Sequence, residues 1–168
     1  TVTAYVEPDD AAPAAVSGSQ AFRVSKRWRP MVQVEDPAGD DHGPAGNYVY
    51  PTDASWGAHR QMDLRRVKVS ETGGALRVDL TMNKVTAFWN PQNEFDHVAL
   101  TIYIHIPGSA PSQSAMPMQN ASLPAGMTWN YRLRAHGWSN SLFSAVGASA
   151  ASEGTPVTPG ADIRVDQR

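Results

Sequence analysis

At 168 residues, with 14 basic against 16 acidic side chains and a net charge of −2, the chain has the length of one domain with a sizeable core. It lacks the basic field that would draw nucleic acid or an anionic membrane surface. The absence of cysteine excludes disulfides, thiolate zinc sites and cysteine nucleophiles, and no apolar run approaches the length of a membrane span.

Thr1–Glu7 alternates like a short strand, and residues 8–20 (PDDAAPAAVSGSQ) read as a Pro/Ala/Ser-rich linker. Residues 1–25 are therefore expected to be the tail of an upstream domain or a linker, and residues 26–168 the module proper. With no leader peptide at its start, the chain is expected to be a mature product or an excised domain. Arg29–Glu35 is the next predicted strand. The segment from Val34 to Thr52 then places Asp36, Asp40 and Asp41 among three glycines and three prolines and closes on a short predicted strand, Tyr48–Tyr50. Met62–Ser70 alternates, Thr72-Gly73-Gly74 signals a hairpin turn, and Ala75–Met82 alternates again. His97–Ile106 is the strongest strand signal, β-branched and aromatic up to Pro107-Gly108. Residues 107–126 and 144–160 are small-residue and Pro-rich and read as long loops. Between them Thr128–Arg134 sets Trp129, Tyr131 and Leu133 on the face opposite Asn130, Arg132 and Arg134. Asp162–Val165 starts a last strand. No segment carries a 3.6-residue apolar repeat over three turns. Serial strands at this spacing predict an all-β antiparallel sandwich, and the strand begun at the last residues implies that its final strands are missing from this chain.

The order of motifs is specific. It runs Asp36-Pro37-x-Gly39-Asp40-Asp41-x-Gly43-Pro44, Tyr48-x-Tyr50-Pro51-Thr52 and Asp63-Leu64-Arg65-x-x-x-Val69. Trp89-Asn90-x-x-Asn93-x-Phe95-Asp96 follows, then Ile102-Tyr103-Ile104 ending at Pro107-Gly108, and Trp129-Asn130-Tyr131 before Gly137-Trp138. Over roughly residues 30–168 this resembles the C-terminal binding module of glucodextranase, shared by pullulanase-type glycoside hydrolases, within the DOMON-like, type 9 carbohydrate-binding group. The resemblance implies a jelly-roll sandwich. It also implies a non-catalytic accessory role in a secreted or cell-surface (periplasmic) bacterial glycoside hydrolase acting on α-glucans. The partners it implies are an α-glucan or cell-envelope polysaccharide and the catalytic domain of the same polypeptide, without nucleic acid and without membrane insertion.

Two groups of residues are candidates for a site. Asp36, Asp40 and Asp41, joined by Asp63 at the head of the next strand, offer hard oxygen ligands to a structural calcium ion. The competing reading has Asp40 and Asp41 capping solvated turns. The second group is aromatic. Pyranose C–H faces pack on exposed indole rings while amides read the hydroxyls, and loop-borne Trp89, Trp138 and Trp56 with Asn90 and Asn93 suit that task. The alternative is that loop aromatics plug the ends of the sandwich, leaving a purely structural interdomain module. A haem-binding relative would need axial ligands from Met82, Lys84, Met116, Met118 or Met127, which are candidates by residue type alone. No nucleophile elbow or phosphate-cradling glycine loop is present, so no catalytic residue is assigned.

Overall fold

A computed structural model describes residues 27–166. The strand and linker expected within residues 1–25 lie outside the described residues. Among the described residues nine strands follow in chain order: β1 (Arg29–Glu35), β2 (Leu64–Thr72), β3 (Ala75–Met82), β4 (Ala99–Ile104), β5 (Ala115–Met116), β6 (Ala121–Ser122), β7 (Tyr131–His136), β8 (Ser139–Ser144) and β9 (Thr155–Val157). No helix occurs among the described residues. The class is all-β, in open antiparallel sheets ordered β1-β2-β3, β4-β7-β8-β9 and β5-β6.

The first sheet is a meander built by alternation. Val32 pairs with Val69 and Val69 with Val78; Val34 pairs with Val67 and Val67 with Leu80, so one face is aliphatic. Gln33, Lys68 and Asp79 form the opposite polar row. The hairpin between β2 and β3 turns at Gly73 and Gly74, with φ of +48° and +82°. Two successive positive φ values are the two-residue hairpin geometry whose twist matches that of the strands. In the second sheet Ile102, Leu133, Leu142 and Val157 fall in one row, and Tyr103, Arg132, Phe143 and Pro156 in the next.

Three expectations give way. Tyr48–Tyr50 is not a strand, because the segment is tied back to its own loop. Tyr48 N–H donates to His42 O at 2.7 Å, and the Tyr50 hydroxyl donates to Asp41. Asp162–Val165 is irregular, with Asp162 paired to Arg164 at 2.7 Å. The two long loops hold short ladders, β5–β6 and β9, and β8 answers to no predicted strand. Arg132, which alternation groups with Asn130 and Arg134, is buried. Its side chain is 1% exposed, ion-paired to Glu153, with the guanidinium carbon 5.1 Å from the Phe143 ring centre.

Among the described residues the largest fully buried side chains are mostly polar: Gln61, Asp63, Asp96 and Arg132, with Trp129 and Pro117. Such groups are tolerated only when hydrogen-bonded. Asn130 shows how: its Oδ1 accepts from Ile106 N at 2.7 Å, and its Nδ2 donates to Ser109 O and Pro111 O at 2.8 and 3.0 Å.

Candidate functional site

Three connections meet at one end of the sheets: the β1–β2 loop carrying Trp56, the β3–β4 loop carrying Phe88 to His97, and the β7–β8 turn carrying Trp138. Their meeting point is His97, which is buried at φ +67° just before β4. Asp96 beside it is buried and receives three donors. Thr86 Oγ1 donates at 2.6 Å, Trp89 N–H at 2.9 Å, and His97 Nδ1 lies 2.5 Å from Oδ1. Burial alone would raise the Asp96 carboxyl. The hydrogen bonds from Thr86, Trp89 and His97 outweigh it and hold the group below the usual carboxylate range. An ionised Asp96 accepts only, so His97 Nδ1 is the donor. The other ring nitrogen, Nε2, is buried without a hydrogen-bond partner.

Aromatic rings surround this couple. Trp89 stacks on His97 with ring centres 4.0 Å apart and planes at 26°, and Trp56 meets the imidazole edge-on at 4.6 Å. Phe88 stands at 5.9 Å from His97, and His59 lies beyond it at 5.6 Å. On the other side Trp138 continues the stack at 6.2 Å and 27° from Trp89. The outer rings remain open to solvent: Trp89 is 49%, Trp138 51% and Phe88 57% exposed. They are exposed aromatics with anchored backs.

The anchoring of Trp138 is steric. A Cβ on Gly137 would overlap the Phe95 carbonyl oxygen and stand 2.7 Å from Pro91 Cβ, so only glycine lets the β7–β8 turn close on the β3–β4 loop. Asn93 ties the two together: its N–H donates to Gly137 O at 2.8 Å and its side-chain amide to His136 O at 2.7 Å. Asn93 thus positions the platform, and its amide nitrogen is engaged. Asn90 sits exposed at φ +50° in the turn after Trp89. Trp56 is half-buried, its ring also 6.2 Å from Trp89. Among the expected sugar-site residues, the structure brings Trp56, Trp89 and Trp138 together, with Asn90 and Asn93 in the same loop. Phe88, Asp96 and His97 were not anticipated as site residues. Asp96 closes the Trp89-Asn90-x-x-Asn93-x-Phe95-Asp96 motif and Phe88 adjoins Trp89, whereas His97 read as the first residue of a strand.

The four aspartates have a different arrangement. Asp41 is enclosed, its side chain 0% exposed, and is bound by Arg60 and by the Tyr50 hydroxyl. The Arg60 guanidinium holds the Asp41 carboxyl down at about 2, and burial pushes the Tyr50 hydroxyl up to about 12. Asp63, 2% exposed, accepts Gly39 N–H at 3.2–3.3 Å and Arg65 Nη1 at 3.4 Å. Asp36 is half-buried and Asp40 exposed. Among the described residues no group of three or more His, Cys, Asp or Glu side chains is placed to hold a metal ion. Two of the four carboxylates, Asp41 and Asp63, are each in contact with an arginine, Arg60 and Arg65.

Residues 31–167 match the family model described as the C-terminal, SLH-like binding module of glucodextranase. No curated protein and no solved structure matches the chain.

Proposed function

Since the chain belongs to the family of C-terminal, SLH-like binding modules of glucodextranase, we propose that it is a non-catalytic carbohydrate-binding accessory module of a secreted glycoside hydrolase. In this reading it works at the bacterial cell surface and holds its catalytic domain on an α-glucan or a cell-envelope polysaccharide. The observation that carries the reading is the half-exposed Trp89–Trp138 stack resting on the buried Asp96–His97 couple. Exposed indole rings are unfavourable in water unless something apolar covers them, and the C–H face of a pyranose is such a partner. The rings are held from behind by His97, by Asp96 through the Trp89 N–H, and by the close approach at Gly137. Little side-chain entropy is then lost on binding. Asn90, at the rim, is suited to reading a hydroxyl.

Trp89→Ala and Trp138→Ala are the test. Each should weaken retention on an immobilised α-glucan by about tenfold or more, and the melting temperature should stay close to that of the parent, because both side chains are half-exposed. If both variants instead melt much lower while the parent shows no glucan retention, these rings pack against the rest of the polypeptide, and the module is structural.

For the acidic loop we propose that Arg60, rather than a calcium ion, supplies the charge that neutralises Asp41. A calcium ion on Asp36 and Asp40, with Asp41 and Asp63 behind, is the competing proposal.

A further inference from the structure

Beside the tryptophan stack lies a second hollow that the platform does not use. It has a volume of 390 Å³ and is lined by His59, Lys84, Val85, Thr86, Ala87 and Phe88. That volume is in the range of sites that take a small molecule, roughly 300–1,000 Å³. The lining mixes the two chemistries that recognise a sugar: the open ring of Phe88 flanked by His59, and the ammonium end of Lys84. Lys84 is exposed and enters none of the salt bridges among the described residues. The backbone of His59 is tied to the β3–β4 loop, since its carbonyl accepts the Asn83 side-chain amide at 2.9 Å.

The hollow is physically joined to the platform. Phe88 and Trp89 are consecutive residues, and both rings contact His97, Phe88 at 5.9 Å and edge-on, Trp89 at 4.0 Å and stacked. Thr86, in the wall of the hollow, is the residue whose hydroxyl donates to Asp96. The order His59, Phe88, His97, Trp89, Trp138 is therefore a continuous aromatic strip with a buried imidazole at its middle. A single pyranose covers one ring. A strip of this kind is used in full only by several linked units.

We propose that the His59–Lys84–Phe88 hollow is a second sugar subsite contiguous with the Trp89–Trp138 platform, so that the module recognises an internal stretch of a neutral polysaccharide chain rather than a single sugar unit. This rests on the carbohydrate-binding reading above. Lys84 acts as a hydrogen-bond donor to hydroxyls, and Phe88 carries the C–H face of the second unit.

The test is a titration of the intact chain with maltose and with maltotetraose, followed by the nuclear magnetic resonance shifts of the Trp89 and Trp138 indole N–H groups. The expected result is at least tenfold tighter binding of the tetrasaccharide. Lys84→Ala, at an exposed position, should reduce that gain while leaving maltose affinity unchanged, and Phe88→Ala should reduce the gain as well. Trp89→Ala should lose both sugars. A gain with length that survives both Phe88→Ala and Lys84→Ala overturns the subsite and leaves the platform standing. Equal affinity for the two sugars in the parent chain overturns it as well. Absence of binding by either sugar overturns the platform reading and the subsite together.

Discussion

Asp41 shows how one side chain couples the acidic loop to stability. Its folded-state pKa of about 2 lies below the ordinary value of 3.8 because Arg60 donates to it and Tyr50 adds a second hydrogen bond. A depressed carboxyl contributes stability that is fully present above its unfolded pKa and is lost as pH falls through the folded one. The window is therefore pH 4 down to pH 2. Arg60 is 39% exposed, so solvent screens part of the attraction. About 1–2 kcal/mol should be at stake. Urea unfolding of the parent and of Asp41→Asn at pH 5 and pH 2.5 measures it: the parent should lose that much more than the variant, and equal losses would dismiss the pairing. At this scale the sequence showed which residue types were present but not which would pair. Asp41 and Arg60 are nineteen positions apart, and their spacing carries no signal. Arg132 makes the same point: its place in an alternating segment put it on a polar face, whereas Glu153, from a distant loop, supplies the countercharge that allows its burial.

The elements were more legible. Arg29–Glu35 and Ala75–Met82 have the predicted bounds, and β2 is displaced by two residues at each end from the predicted Met62–Ser70. The reason is that a period of two in a half-buried sheet leaves a direct mark on composition. β8 left none, since SNSLFS lacks alternation, and pairing with β7 makes it a strand. Tyr48–Tyr50 has strand composition without a partner ladder. Two glycines separate the kinds of constraint at work. Gly74 has φ +82° and open space around its missing side chain, so Gly74→Ala should cost about 1 kcal/mol from backbone strain alone, with sugar binding intact. Gly137 meets atoms, so Gly137→Ala should cost about 1–3 kcal/mol and also weaken glucan retention, because the Trp138 turn must move off the β3–β4 loop. Thermal melts paired with a glucan-retention assay distinguish the two, and a Gly137→Ala chain that binds normally would detach Trp138 from the platform.

For the whole molecule the sharpest question is whether a cation or an arginine holds the acidic loop. Thermal unfolding in EDTA and then with added Ca²⁺ decides it. A ligand that binds only the folded state raises the melting temperature by mass action and saturates. With Arg60 in the role proposed here, the expected outcome is no Ca²⁺-dependent shift in the parent chain; a saturable rise of several degrees would instead put calcium on Asp36 and Asp40. The sequence by itself determined the all-β class, the hairpin of β2 and β3 and the family, because strand periodicity and the motif order from Asp36 to Trp138 are local properties of the chain. It also marked Trp56, Trp89 and Trp138 as loop aromatics. Only the tertiary structure decided that three loops bring them onto one buried Asp96–His97 couple, that Phe88 extends the strip, and that Arg60 pairs with Asp41 in the acidic loop. Those contacts join residues whose sequence spacing carries no pairing signal, and only the folded backbone sets the distances between them.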